Sequence, residues 1–224
     1  MAFYQQLGVE PGITAVIGSG GKTSLLGRLA EEVPGTVILC TTTHIRPFPA
    51  YPLLTEPTPE IVWQALANSR VLCLGTPCEN NKLTAPALPL DVLAGLADYV
   101  LVEADGSRQL PLKAHGPQEP VIPTASRRTI CVAGASGFGR PIREAVHRPE
   151  RFCTLTGAAE TAPATPELAA RALLAEHLCD TVFLNQLDRP EQLPAARSFA
   201  AVLSAHGIRV WGGSLRSGSI FPLE

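Results

Sequence analysis

The 224-residue sequence predicts an α/β protein with three layers, α/β/α, built on a mostly parallel sheet. Three observations carry this. Short apolar runs alternate with stretches of helical periodicity along the whole chain. The first run, Thr14 to Ile17, opens onto Gly18-Ser19-Gly20-Gly21-Lys22-Thr23-Ser24, after which Leu25, Leu26, Leu29 and Ala30 recur at helical spacing. Later runs end in acids, or in Asn185-Gln186-Leu187-Asp188, where open α/β sheets place their ligands.

Strand, glycine turn and helix make a phosphate-binding unit, so the expected fold is P-loop NTPase-like. Glycines let backbone N–H groups curl around phosphate oxygens, Lys22 reaches the β- and γ-phosphates, and the Thr23 hydroxyl ligates Mg²⁺. The helix N-terminus adds a favourable dipole. Where the common Gly-x-x-x-x-Gly-Lys-Thr loop has its first glycine, this chain has Val16. The shorter Gly18-x-x-Gly21-Lys22-Thr23 form resembles the loops of Mur ligases and of some metal chaperones.

The length fits a single nucleotide-binding domain, residues 1–224, with loop insertions at about 44–60 and 106–128. Hydrophobic residues are 46% and charged residues 17%, which sets the chain among folded proteins. A formal charge of −2 without a basic block argues against a nucleic-acid partner. Met1 to Gly12 has neither a basic leader nor a long apolar core. The apolar window Leu88 to Ala104 is broken by Pro89, Asp91 and Asp98, so a cytoplasmic protein without membrane contact is expected. Cys40, Cys131 and Cys179 sit in apolar runs as reduced core thiols would. Cys73 and Cys78 are too far apart for a Cys-x-x-Cys pair, and packing is the simpler role for them.

Taken in order, Thr36 to Cys40 is a buried strand that runs into Thr41, Thr42 and Thr43. Those hydroxyls suit a metal-bound water or a phosphate, or they simply end a β-branched strand. Prolines make Arg46 to Pro59 a surface loop. Pro59 to Ala67 follows as a helix, Val71 to Leu74 as a strand, Thr76 to Pro86 as a polar excursion and Leu90 to Leu96 as a helix. Tyr99 to Val102 is then an apolar strand delivering Glu103 and Asp105, where phosphate-loop enzymes keep acids for Mg²⁺ and water. Asp105 is placed near the metal, with the sequence leaving open which of the two acids takes which place. Glu103, expected to point the other way, is assigned to the attacking water or the metal's outer shell. Lys22, Glu103 and Asp105 thus form the candidate catalytic set.

Proline-punctuated segments follow, carrying Lys113, His115 and Glu119. Here the chain resembles the YqeC-type family through Val102-Glu103-Ala104-Asp105-Gly106-Ser107, Pro111-Leu112-Lys113 and Glu119-Pro120-Val121-Ile122-Pro123. The glycine loop, the threonine cluster and Val146-His147-Arg148-Pro149-Glu150 fit the same pattern. Members are described as accessory proteins of selenium-dependent molybdenum hydroxylases, in selenium-cofactor synthesis. The resemblance implies a nucleotide-dependent maturation factor whose partner is a molybdenum hydroxylase or another cofactor-maturation protein.

Thr129 to Ala135 reads as another central strand. If helical, Glu144, His147, Arg148 and Arg151 share a face able to neutralise a γ-phosphate or hold an anionic substrate. With Thr41, Thr42, Thr43, Lys113 and Glu119, His147 and Arg148 complete the substrate or switch candidates. Pro166 to Leu178 is a helix and Thr181 to Leu184 a strand that ends in Asn185-Gln186-Leu187-Asp188, similar to the Asn-Lys-x-Asp motif of GTPases. Asn185 and Asp188 are candidate base contacts, with Gln186 in the lysine's place leaving GTP or ATP open. A helix over Glu191 to His206, a strand over Ile208 to Trp211 and a turn at Gly212 to Leu215 close the chain, the turn offering N–H groups to the base.

The function expected is a slow Mg²⁺-dependent GTPase or ATPase. The alternatives are a ligase or transferase activating a small anionic substrate, and a non-hydrolysing scaffold whose Arg46 to Pro59 loop orders on nucleotide binding.

Overall fold

The structure, a computed structural model, describes residues 2–223. A short helix α1 (Phe3–Gln6) precedes β1 (Gly12–Gly18), the glycine loop and α2 (Lys22–Glu32). Then come β2 (Val37–Thr41), β3 (Leu53–Leu54), α3 (Pro59–Asn68), β4 (Val71–Leu74), the hairpin β5 (Thr76–Cys78) and β6 (Lys82–Thr84), α4 (Leu90–Leu96) and β7 (Tyr99–Glu103). The second half carries β8 (Leu112–Lys113), β9 (Ser126–Gly134), α5 (Ile142–Ala145), β10 (Val146–His147), α6 (Pro149–Thr156) and α7 (Pro166–Glu176). It closes with β11 (Thr181–Asn185), α8 (Leu193–Ser204), β12 (Arg209–Ser214) and β13 (Ser219–Pro222).

Nine strands form one sheet in the order β13-β12-β11-β9-β1-β7-β2-β4-β3. Its pairings are parallel except that of β12 with β13. The central strands are buried on both faces, which is why they read as unbroken apolar runs rather than as alternation. Successive side chains still divide between the faces. Ala15 and Ile17 of β1, Cys131 and Ala133 of β9, and Val182 and Leu184 of β11 pack with Phe152, Ala169, Leu173 and Phe199 of α6, α7 and α8. On the same face, Ile38, Val100 and Val102 meet Val62, Leu66 and Leu93 of α3 and α4. On the opposite face, Val16, Leu39, Leu101, Val132 and Phe183 pack against Phe3 of α1 and Leu25, Leu26 and Leu29 of α2.

Helix starts follow local chemistry. Thr58 caps α3 by accepting the Ile61 N–H, Thr165 caps α7 by accepting that of Leu168, and a proline takes the first turn of each.

Register brings the functional strand ends together. Val16 and Thr41 both stand opposite Glu103, Gly18 opposite Val132, and Asn185 opposite Gly134. The carboxyl ends of β1, β2, β7, β9 and β11 therefore meet along one edge.

Several expected elements differ in detail. The polar excursion after β4 is the β5–β6 hairpin, tied to the preceding loop by the Ile45–Leu83 bridge. The helical face expected through Glu144 and Arg151 does not form. Val146 and His147 pair with Leu112 and Lys113, and Arg148 takes a left-handed conformation at φ 65° before Pro149 starts a new helix. Arg143 and Arg151 are therefore not on one helical face with Arg148. Gly212 and Gly213, expected in a turn, are in β12 opposite Phe221 and Ile220. Among the described residues, no helix is long and apolar enough to cross a membrane.

Candidate functional site

The loop between β1 and α2 is shaped by close approach. Gly20 has φ 85°, and a Cβ there would lie 2.6 Å from the Gly134 backbone of β9. Gly21 has φ 136°, and a Cβ would meet the Asn185 amide at 2.4 Å. A side chain at Gly20 would displace the end of β9, and one at Gly21 would be strained at that φ and would push the Asn185 amide aside. The loop then hands the chain to α2, whose first residues, Lys22 and Thr23, line a cavity of about 500 Å³. Gly20, Gly21, Ser24, Glu103, Asn185, Gln186, Asp188 and Ser214 line it as well.

Lys22 Nζ donates to Gly18 O at 2.8 Å and to Ser107 Oγ at 3.2 Å. It lies 3.0 Å from Asp105 Oδ1, as an ion pair rather than a directed hydrogen bond, and 3.8 Å from Glu103 Oε1. The two carboxylates thus converge on one ammonium instead of pointing apart, because residues two apart in an extended chain share a side. They differ in depth. Glu103 lines the cavity and accepts the Thr23 hydroxyl at 2.8 Å. Asp105 is fully buried, and its Oδ2 accepts the Gly18 N–H at 2.8 Å and lies 2.7 Å from His115 Nε2 and 3.2 Å from Lys113 Nζ.

Electrostatics separates them too. Burial pushes the Glu103 carboxyl above its usual range against the pull of Lys22 and the Thr23 hydroxyl. Burial also works against ionised Asp105, but His115, Lys22 and Lys113 outweigh it and bring its pKa to about 2. His115 sits between two carboxylates, with Nδ1 2.7 Å from Glu176 Oε2 at the end of α7. Burial alone would favour the neutral ring, yet the hydrogen bonds to Asp105 and Glu176 raise its pKa.

Of the remaining candidates, Lys113 is a buried clamp joining Asp105, Glu119 and the Gly106 carbonyl. Arg148 Nε donates to the other side of Glu119 at 2.6 Å. Thr41 is buried at the end of β2, donating to Glu103 O at 2.7 Å, and Thr42 donates to Val121 O at 2.7 Å. Thr42 and Thr43, with Glu119, His147 and Arg148, line a second cavity described below. Ser19 is buried and donates to the Leu110 carbonyl. In the wall of the first cavity, Asn185 Nδ2 donates to Gly20 O at 2.8 Å and its Oδ1 accepts the Leu215 N–H at 3.0 Å. Asp188 accepts the Ser214 hydroxyl through Oδ1 at 2.6 Å. Gln186 turns instead to Ser136 and Gly20.

The sequence pattern did not disclose the Asp105–His115–Glu176 chain. Glu176 is 61 residues from His115, and nothing in a helix C-terminus marks it as a histidine partner. Gln109 and Arg216 also line the first cavity without belonging to a motif, because loops place them there.

A glycine loop after a central parallel strand, a Lys-Thr pair opening the next helix and an acid on the adjacent strand make up a P-loop NTPase-like α/β fold. The chain belongs to the YqeC family, whose model, described as YqeC protein, matches residues 14–150. It is 32% identical over 229 residues to the uncharacterized protein YqeC of Escherichia coli (strain K12), an alignment covering 92% of this chain and 89% of that one. Among solved structures it is similar to the signal recognition particle 54 kDa protein of Aeropyrum pernix K1 in complex with GDP. That likeness has a TM-score of 0.40 and 17% identity, and covers 95% of this chain. The chain spans 44% of that protein's length.

Proposed function

We propose that the chain binds a nucleoside triphosphate, GTP or ATP, in the cavity at the start of α2 and hydrolyses it slowly. The observation that carries this reading is the meeting of Lys22, Thr23 and Glu103 in a cavity whose wall also carries Asn185 and Asp188. The N–H groups of Gly20, Gly21 and Lys22 and the Lys22 ammonium would receive the phosphates, with Gly18, Ser19 and Ser24 shaping the loop. Asp188 keeps Oδ2 for a purine edge, and Asn185 ties the base end to the loop.

The donor set suits magnesium. Thr23 and Glu103 offer hard oxygens, and among the described residues no group of three or more His, Cys, Asp or Glu side chains would hold an ion alone. An ion that completes its shell with substrate phosphates and water fits such a site, and when bound it would neutralise phosphate charge. Glu103, in place of the Asp105 expected from the sequence, would hold that ion with Thr23. Asp105, enclosed by donors, positions Lys22 and the loop through Gly18.

Replacing Glu103 with Gln, or Thr23 with Ala, is expected to erase the gain in nucleotide affinity produced by Mg²⁺ while leaving Mg²⁺-free binding in place. Titration of each variant with and without the ion checks this. An undiminished magnesium effect in both variants contradicts the assignment.

The family likeness supports the wider role of a maturation factor for selenium-dependent molybdenum hydroxylases, with nucleotide turnover gating a step on the client. In that role the Lys113–Glu119–Arg148 chain links the acid strand to the second cavity and would report nucleotide state to a partner. Activation of a small anionic substrate, as a ligase or transferase would perform, is favoured by that second cavity.

A further inference from the structure

Beside the nucleotide cavity lies a second one of about 870 Å³, and the two share Thr23, Glu103, Ser107 and Gln109 as a common wall. That wall is the end where Lys22 and Thr23 would hold the terminal phosphate. The rest of the lining comes from segments that are remote in sequence: Arg46 after the threonine cluster, Lys82 of the β5–β6 hairpin, Arg108 and Arg148. Its two carboxylates are already engaged, Glu103 by Thr23 and Lys22 and Glu119 by Lys113 and Arg148. Arg46, Lys82 and Arg108, by contrast, have no acidic partner among the described residues.

A chain of net charge −2 that gathers three uncompensated cations in one hollow creates a local positive field. Concavity restricts what can use it. An extended nucleic acid needs a broad basic face, whereas a hollow of this size admits a small molecule. Thr43 and Thr84 add hydroxyls to the cations, a combination suited to phosphate or carboxylate oxygens.

We propose that the second cavity binds a small anionic co-substrate carrying a phosphate or carboxylate group, seated against the terminal-phosphate end of the nucleotide site. This inference rests on the nucleotide reading above. Arg46, Lys82 and Arg108 hold the anion, and the shared wall brings it beside the terminal phosphate. Sequence inspection singled out His147, Arg148 and Thr41 to Thr43 in this region, but the three cations without an acidic partner among the described residues come from the start of the proline-rich loop, the polar excursion and the loop after β7, which only the fold assembles.

The test uses the full chain with Mg²⁺ and a saturating non-hydrolysable GTP or ATP analogue, so that the nucleotide site is filled, and inorganic phosphate as the probe. Calorimetry should detect phosphate binding to this complex, and the double variant Arg46→Ala/Lys82→Ala should weaken it by about tenfold or more. Arg108→Ala should weaken it independently. Neither variant touches the Lys22–Thr23–Glu103 cluster, so retained nucleotide affinity certifies the fold. Phosphate binding that is absent from the nucleotide complex, or equal in wild type and all variants, overturns the proposal while leaving the nucleotide reading intact. Failure of the wild-type chain to bind either analogue removes the nucleotide reading itself, and the co-substrate role with it.

Discussion

Replacing Lys22 with alanine is expected to reduce nucleotide affinity by about a hundredfold or more, since two charge-assisted contacts to phosphate are worth about 3–6 kcal/mol together. The side chain is only 3% exposed, yet it opens on the cavity and is held in place by Gly18 O and Ser107 Oγ. It has a second task, because its ammonium partly neutralises buried Asp105. Removing it therefore leaves Asp105 with Lys113, His115 and the Gly18 N–H. The double variant Lys22→Ala/Asp105→Asn separates the two effects: it relieves the buried charge but restores no phosphate contact. Direct titration with nucleotide checks both. Wild-type affinity in a folded Lys22→Ala protein would remove the lysine from the site.

Asp105→Ala is expected to be the most damaging single change to stability. It strips a fully buried carboxylate from Lys22, Lys113, His115 and the Gly18 N–H together. Breaking a buried charge pair from one side costs about 3–5 kcal/mol, which lowers the melting temperature of a chain this long by on the order of 10 °C. The pH profile should carry the same signature. With its folded pKa brought to about 2, below the unfolded value, Asp105 contributes stability that is present above about pH 4 and lost as pH falls toward the folded value. His115 has the opposite sign. Its raised pKa contributes stability that is full below about pH 6.5 and lost as pH rises through the folded value. Asp105→Asn should flatten the acid limb and shift the alkaline loss toward neutrality, because His115 then keeps only Glu176. Urea unfolding across the pH range reads both limbs, and a profile unchanged from wild type would contradict this account of the buried network.

What could be read from the sequence is what depends on neighbours in the chain. Val16 and Ile17 before Gly18, and Leu25, Leu26 and Leu29 after Lys22, announce strand, turn and helix because each property is local. Tyr99 to Val102 likewise announces a buried strand ending in acids. The division of labour between those acids was not legible, since it depends on depth: Glu103 reaches Thr23 at the cavity, and Asp105 is enclosed by a histidine from another segment. The helical reading of Glu144 to Arg151 failed because tertiary pairing of β10 with β8 overrode the spacing. Leu112 and Lys113 supplied a partner strand that no periodicity around His147 could reveal. Gly212 and Gly213 misled for a related reason. Two glycines suggest a turn, but the Ser219 backbone approaches so closely that a Cβ on Gly213 would lie 2.0 Å from its carbonyl oxygen, so the pair serves strand packing.

The most direct measurement of the central claim is calorimetric titration of the purified wild-type chain with GTP and with ATP, each with and without Mg²⁺. Saturable one-to-one binding of at least one of them, tightened by the ion, is the predicted result. No saturable binding of either nucleotide in the presence of Mg²⁺ would contradict it.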